Sequence, residues 1–141
     1  MRALAVLMLL IGVAAMLRPT ADDTRDNACR AVAINYAAYR SAVFTYVYGH
    51  REHNGAVPMA SLNLPTGWQA LRAWSARVDD GRCYVYGEAS YEEIAAVRDL
   101  YQGSNALGMA SNGHLVPRTG NSIPVPNFIP DGSLVSVTEV D

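Results

Sequence analysis

The chain has 141 residues, half of them hydrophobic, with a charged fraction of 17% and a formal net charge of −2. That length suits one domain with its own core. So weak a charge balance excludes the basic footprint of a nucleic-acid binder and the polybasic patch of an anionic-lipid binder.

Ala3 to Leu17 is apolar or small without interruption, framed by Arg2 and by Arg18-Pro19. No soluble fold needs such a run at its terminus, so the segment is destined for a membrane. Residues 1–18 would reach roughly 27 Å as a helix, the thin end of a bilayer's hydrocarbon core. They are therefore either a membrane anchor or a signal segment, the latter cut after Ala15 with Val13 and Ala15 as the small residues. Arg2 and the amino group precede the run, and Asp22 and Asp23 dilute Arg18 after it. That bias keeps the N-terminus in the cytoplasm and sends the rest outside. Prepilin processing is excluded, because Leu17 stands where a glutamate would have to follow Gly12.

Residues 19–141 read as a single periplasmic α+β domain. Thr20-Ala-Asp-Asp23 starts a helix, with acidic residues where the dipole favours them. Cys29, Val32, Tyr36, Tyr39, Val43 and Tyr46 then recur at alternating steps of three and four, a one-sided stripe that predicts a helix to Tyr48. Gly49 stops it, with His50 and Arg51 at its negative end. Val57 to Leu64 reads as extended, and Leu64-Pro65-Thr66-Gly67-Trp68 as a turn carrying an aromatic plug. A hairpin follows: Leu71 to Val78, a turn at Asp79-Asp80-Gly81, then Arg82 to Gly87. Ser90-Tyr91-Glu92-Glu93 is a capping box that opens a short helix ending near Gln102-Gly103. Leu107 to Ala110 and His114 to Val116 flank the hairpin signal Asn112-Gly113. Ile123 to Ile129 and Ser133 to Val140 flank Pro130-Asp131-Gly132, and Pro124 and Pro126 make the first of these an edge strand. The expected fold is a long N-terminal helix on a mainly antiparallel sheet, with a short second helix.

Cys29 lies on the helix stripe, and Cys83 shares a strand face with Val85. If that face meets the stripe, the two can bridge. A disulfide closing a loop of this size contributes roughly 4 kcal/mol in the chain-entropy model, and an exported protein favours one. Two free buried thiols are the alternative. Cys83 inside an alternating strand reads as core or bridge rather than as a nucleophile. His50 and His53 stand one helical turn apart beside Glu52, but imidazoles at a helix C-terminus are accounted for by the dipole without a metal. Glu92, Glu93 and Asp99 fall at a helix start and on its solvent side. No nucleophile elbow, phosphate loop or dinucleotide fingerprint occurs. The chain is not expected to be an enzyme or to take a cofactor or small-molecule ligand. Among the tyrosines, Tyr84 and Tyr86 share a strand face and are the ones expected to meet a partner.

Several landmarks coincide with a known family. They are the apolar N-terminal segment, Leu62-Asn-Leu-Pro-Thr-Gly-Trp68, Gly81-Arg-Cys-Tyr-Val-Tyr86, Ser104-Asn-Ala-Leu-Gly-Met-Ala110 with Gly113-His-Leu-Val116, and Phe128-Ile-Pro-Asp-Gly-Ser-Leu-Val135. On these the chain resembles the PilM family of plasmid-type (type IVb, thin) conjugative pilus biogenesis proteins, which is distinct from the actin-like cytoplasmic protein of the same name. The resemblance implies a single-pass inner-membrane protein of the pilus basal apparatus, with a retained anchor and a periplasmic domain. Its implied partners are other pilus-assembly proteins of the inner membrane and periplasm. It brings no catalytic residues with it.

Overall fold

A computed structural model describes residues 20–140 of the chain. The expected membrane segment, residues 1–18, lies outside the described residues. Among those described, no helix is long and apolar enough to cross a membrane.

Helix α1 runs Ala21–Gly49 from a capping box in which Thr20 and Asp23 satisfy each other's backbone N–H groups. Those bonds, the side-chain one foremost, hold the Asp23 carboxyl below its ordinary value. The stripe read from the sequence faces inward: Val32, Tyr36, Tyr39 and Val43 are buried. The first turns, Ala21 to Ala28, are exposed on every side.

Seven strands follow: β1 Gly55–Ala56, β2 Ser75–Asp79, β3 Arg82–Gly87, β4 Leu107–Ser111, β5 His114–Pro117, β6 Ile123–Pro124 and β7 Leu134–Glu139. Helix α2, Tyr91–Leu100, lies between β3 and β4. The sheet order is β1-β2-β3-β7-β4-β5-β6, and every neighbouring pair is antiparallel. β3, α2 and β4 thus form a crossover whose two strands are parallel but separated, with the last strand filling the gap.

Two hairpins match the sequence signals, although the leading arm of the first begins at Ser75 rather than at Leu71. Asp80-Gly81 and Asn112-Gly113 both carry positive φ at the two turn positions, the geometry whose twist suits a two-residue hairpin. Two other expectations are corrected. Only Gly55–Ala56 is strand before a 3-10 turn at Met59–Ser61, so the stretch from Val57 to Leu64 is not extended throughout. Its apolar residues Leu62, Leu64 and Trp68 instead cover the core edge, with Trp68 stacked on Tyr39 at 6.1 Å.

The second correction concerns the final hairpin. Ile123–Pro124 pairs with β5, not with β7, and β7 pairs with β3 and β4. Pro130-Asp131-Gly132 is a turn, yet it docks on β4 through Gly132 N–H to the Ala110 carbonyl at 2.7 Å. A strand rich in branched residues on both faces gains more in the middle of the sheet than beside a proline-bearing edge.

Both faces of the sheet are covered. The helices bury Cys83, Val85 and Leu134 on one side. On the other, the segment around Ile123, Val125, Phe128 and Ile129 closes over Tyr84, Leu115, Val135 and Val137.

Polar anchors fix α1 against the sheet. Tyr36 Oη lies 2.8 Å from the Val85 carbonyl and 2.9 Å from Ser136 Oγ. With one proton to give, it serves the carbonyl, and the Ser136 hydroxyl turns towards Tyr36. Arg40 Nε donates to Ser136 Oγ at 3.1 Å, and its guanidinium lies between the rings of Phe44 and Tyr101. Nearby, the buried Asn35 holds the irregular segment before β2. Its oxygen accepts from Leu71 N–H at 2.9 Å and Trp74 Nε1 at 2.8 Å, and its amide donates to the Gln69 carbonyl at 2.8 Å. The Trp74 indole in turn packs flat on β3 at Gly87, where an added Cβ would come within 2.4 Å of the ring.

Asn35→Ala leaves two donors and one acceptor unpaired in a mostly buried place, and should cost about 2–4 kcal/mol. Thermal denaturation should register this as a fall of roughly 10 °C; a change within two degrees would show that water replaces the side chain without loss.

Candidate functional site

Helices α1 and α2 run in the same direction, because Arg25 pairs with Glu92 near their starts while Ile34 and Leu100 flank one groove further along. The groove between them has a volume of about 640 Å³. Small residues form its less exposed part: Cys29 and Ala33 from α1, Ala95 and Ala96 from α2. Large apolar side chains stand exposed around it, Ile34 at 57%, Tyr91 at 69% and Leu100 at 48%. Charges complete the rim, with Arg25, Asp26 and Arg30 on α1 and Glu92 and Asp99 on α2.

A second depression lies on the other flank of α1, bordered by Ala28, Val32, Leu71 and Ser90. Leu71 is also exposed, so among the described residues four of the seven large exposed hydrophobics flank the same stretch of α1. Scattered apolar residues on a surface mean little, but a cluster rimmed by polar groups marks a contact surface.

The ion pairs here differ in weight. Arg25–Glu92 and Arg118–Asp99 are exposed and contribute little to stability. Arg72 grips the better-buried Glu93 through two nitrogens, while Glu93 also accepts from Ser90 N–H in the capping box of α2. Burial alone would raise the Glu93 carboxyl. The bonds from Arg72 and Ser90 outweigh it and hold the carboxyl below its ordinary 4.5.

The predicted site residues fall in different places. Cys83 does face the helix, as the strand alternation required, but it sits fully buried against Tyr36 and Tyr39. Cys29 lies in the helix groove, 7 to 10 residues nearer the start of α1, roughly 10–15 Å along the axis. A disulfide needs Cα atoms within about 7 Å. Both cysteines are free, and the expected bridge is corrected accordingly.

Tyr84 and Tyr86 share the opposite strand face, where the ring of Phe128 lies 5.8 and 5.9 Å from theirs. Tyr84 is only 4% exposed, so it presents no surface to a partner, and Tyr86 is half-buried beside it. Their role is to hold the covering segment down.

The histidines have structural partners. His50 stacks on Tyr46 at 4.3 Å and bonds its carbonyl, and His53 lies edge-on to the same ring and bonds the Ala56 carbonyl. Among the described residues, no three His, Cys, Asp or Glu side chains gather as a metal site would require. Burial pushes the Cys83 thiol up to about 12, with Arg40 acting in the opposite sense, so it is no nucleophile. Burial likewise raises the Tyr39 hydroxyl to about 12. The groove offers shape, apolar surface and charge, which are the means of binding a protein segment.

The groove itself is a site that the helix stripe did not announce. Its signal was present as Asp26, Arg30 and Ile34, four residues apart on a face away from the stripe, with an isoleucine where solvent was expected.

A family model for PilM matches residues 6–137. The chain belongs to the PilM family. Members of that family are plasmid-type pilus biogenesis proteins, as the sequence landmarks indicated. The PilM fold is also seen in a crystal structure of a protein named PilM from Escherichia coli B7A. It aligns with a TM-score of 0.63 at 24% identity, covering 86% of this chain and 100% of that one. No curated protein matches the chain.

Melting of the purified PilM protein should be the same with and without reductant; a lower melting point on reduction would restore the intramolecular bridge. Glu93→Gln should lower stability at pH 7 by about 1–2 kcal/mol. A carboxyl held below its ordinary value stabilises the fold fully above that value and loses this contribution as the pH falls from there through the lower folded-state value. Wild-type stability should therefore drop more steeply between pH 5 and 3 than that of Glu93→Gln, and parallel denaturation curves across that range would refute the pairing.

Proposed function

We propose that this PilM protein is an inner-membrane component of a thin type IV pilus assembly apparatus, acting through protein–protein contacts of its periplasmic domain. Ala3 to Leu17 serves as a retained single-pass anchor with a cytoplasmic N-terminus, and residues 19–141 form the domain outside. The observation that carries this reading is the apolar groove between α1 and α2, close to the point where the chain leaves the anchor. Arg25, at the groove's mouth, is only five residues from Thr20, about 8 Å of helix. The family match begins at residue 6, inside the apolar run, so that run belongs to what the family shares.

The role is one of assembly rather than catalysis. Ile34, Tyr91 and Leu100 present the kind of exposed apolar side chains that anchor interfaces, with charges at the rim to set register and partner choice. Other pilus-assembly proteins of the inner membrane and periplasm are the partners.

One feature favours a second reading, a soluble periplasmic or secreted binding module released by cleavage after Ala15. The apolar run of Ala3 to Leu17 is as short as a signal segment's. Fractionation separates the two: the anchored form stays with the inner membrane, whereas a soluble periplasmic chain beginning at Met16 would establish release.

Ile34→Glu places a charge in the groove without touching the core. It should leave the melting point within about 2 °C of wild type and reduce pilus production and conjugative transfer at least ten-fold in cells lacking the native copy. Undiminished transfer with Ile34→Glu and Tyr91→Glu combined would remove the groove from the function.

A further inference from the structure

We infer that the occupant of the α1–α2 groove is the same groove of a second copy of this chain, the two α1 helices lying parallel about a two-fold axis that runs along them. This inference rests on the proposed function above, which makes the groove a contact surface and Ala3 to Leu17 an anchor.

The groove is complementary to itself in shape. Its less exposed part is made of Ala33, Ala95 and Ala96, while Ile34 and Leu100 stand out beside it. An isologous contact sets the projecting side chains of each copy against the small residues of the other, and burying them needs no other partner.

It is also complementary in charge. Asp26, Arg30 and Ile34 follow one another at single-turn spacing on one face of α1. Neither Asp26 nor Arg30 forms an ion pair or side-chain hydrogen bond among the described residues, unlike Arg25, Glu92 and Asp99. In a parallel pairing, residues of the same number lie level with one another. The long Arg30 side chain of each copy then reaches one turn back to Asp26 of the other, about 6 Å along the axis. The same two charges supply both halves of the contact.

Direction fits the membrane. A two-fold axis along α1 puts both Thr20 residues at the same end, so both apolar leaders enter one bilayer. An antiparallel pairing would send them opposite ways.

Size explains why the contact depends on that bilayer. The groove spans about 15 Å of helix and two helix widths, a footprint of roughly 300 Å² per copy. A stable interface between free proteins buries about 800 Å² per partner. Pairing therefore relies on the high effective concentration of two tethered, pre-oriented domains.

The test uses the full chain in its native membrane, with Cys29→Ser to remove the groove's own thiol. Ile34→Cys in that background, treated with a bis-maleimide of about 8 Å span, should give a product of twice the chain mass. Asn127→Cys, exposed on the far side of the sheet, should give at least ten-fold less. Arg30→Asp, added to Ile34→Cys, should cut the product at least five-fold by facing acid with acid. Exchanging both charges, Asp26→Arg with Arg30→Asp, should restore it. A self-pairing surface recovers when both charges are exchanged, whereas a surface that binds a different protein does not.

Equal products from Ile34→Cys and Asn127→Cys would mean random collision and overturn the inference. No product from Ile34→Cys, while Ile34→Glu still abolishes pilus production, would assign the groove to another protein; the proposed function would stand and the second copy would not. A groove whose variants leave pilus production intact would defeat the proposed function, whatever the crosslinking shows.

Discussion

Ser133 to Val137, at the start of and within β7, are buried without interruption, Leu134 and Ser136 under the helices and Val135 and Val137 under the loop that follows β6. This strand is the last made, yet it lies between β3 and β4 and supplies hydrogen bonds to both. It therefore contributes to both cores at the middle of the sheet, as β3 does through Cys83 and Val85 on one face and Tyr84 on the other. Ser136 is the one polar residue in its middle, and it carries the hydroxyl that links Tyr36 and Arg40 of α1 to the sheet. A valine there would pack as well but would leave Arg40 Nε without an acceptor, so this oxygen is one of the anchors of the long helix, beside the Val85 carbonyl and Asn35.

The anchoring of α1 is uneven along its length, and the site follows from that. From Val32 to Val47 the helix is held by buried side chains, by Asn35 and by the Tyr36–Ser136–Arg40 network. Before Val32 it lies beside α2, through Arg25 and Glu92, and beside the segment of Leu71 and Arg72. Neither covers its flanks fully. The uncovered flanks are the two depressions, with apolar side chains bordering them. This end of the domain is also the one at which the described chain begins, at Thr20.

The sequence was legible wherever structure is decided locally. Both capping boxes, the helix stripe and the two hairpins with glycine at the second turn position are short-range devices, and each is found where its residues are. Periodicity read the correct azimuth for Cys29 and Cys83 but carried no information on their level along the helix, and the bridge failed on that coordinate. Alternation likewise put Tyr84 and Tyr86 on a common face. What covers that face is hidden in the sequence, because Ile123 to Ile129 reads as a strand and only its first two residues are one. The position of β7 was beyond local reading altogether, since its partners lie about 30 and 50 residues earlier in the chain.

The margins of the sheet have a consequence for how such a protein behaves among its neighbours. At one side stands Gly55–Ala56 and at the other Ile123–Pro124, two residues each, the second ending in a residue with no N–H to offer. Neither rim is long enough to template a foreign backbone, so strand addition and cross-β stacking find no foothold. For an extended polypeptide nearby, that leaves side-chain recognition as the way to engage this molecule. Main-chain pairing is indifferent to sequence; a surface that withholds it can be selective.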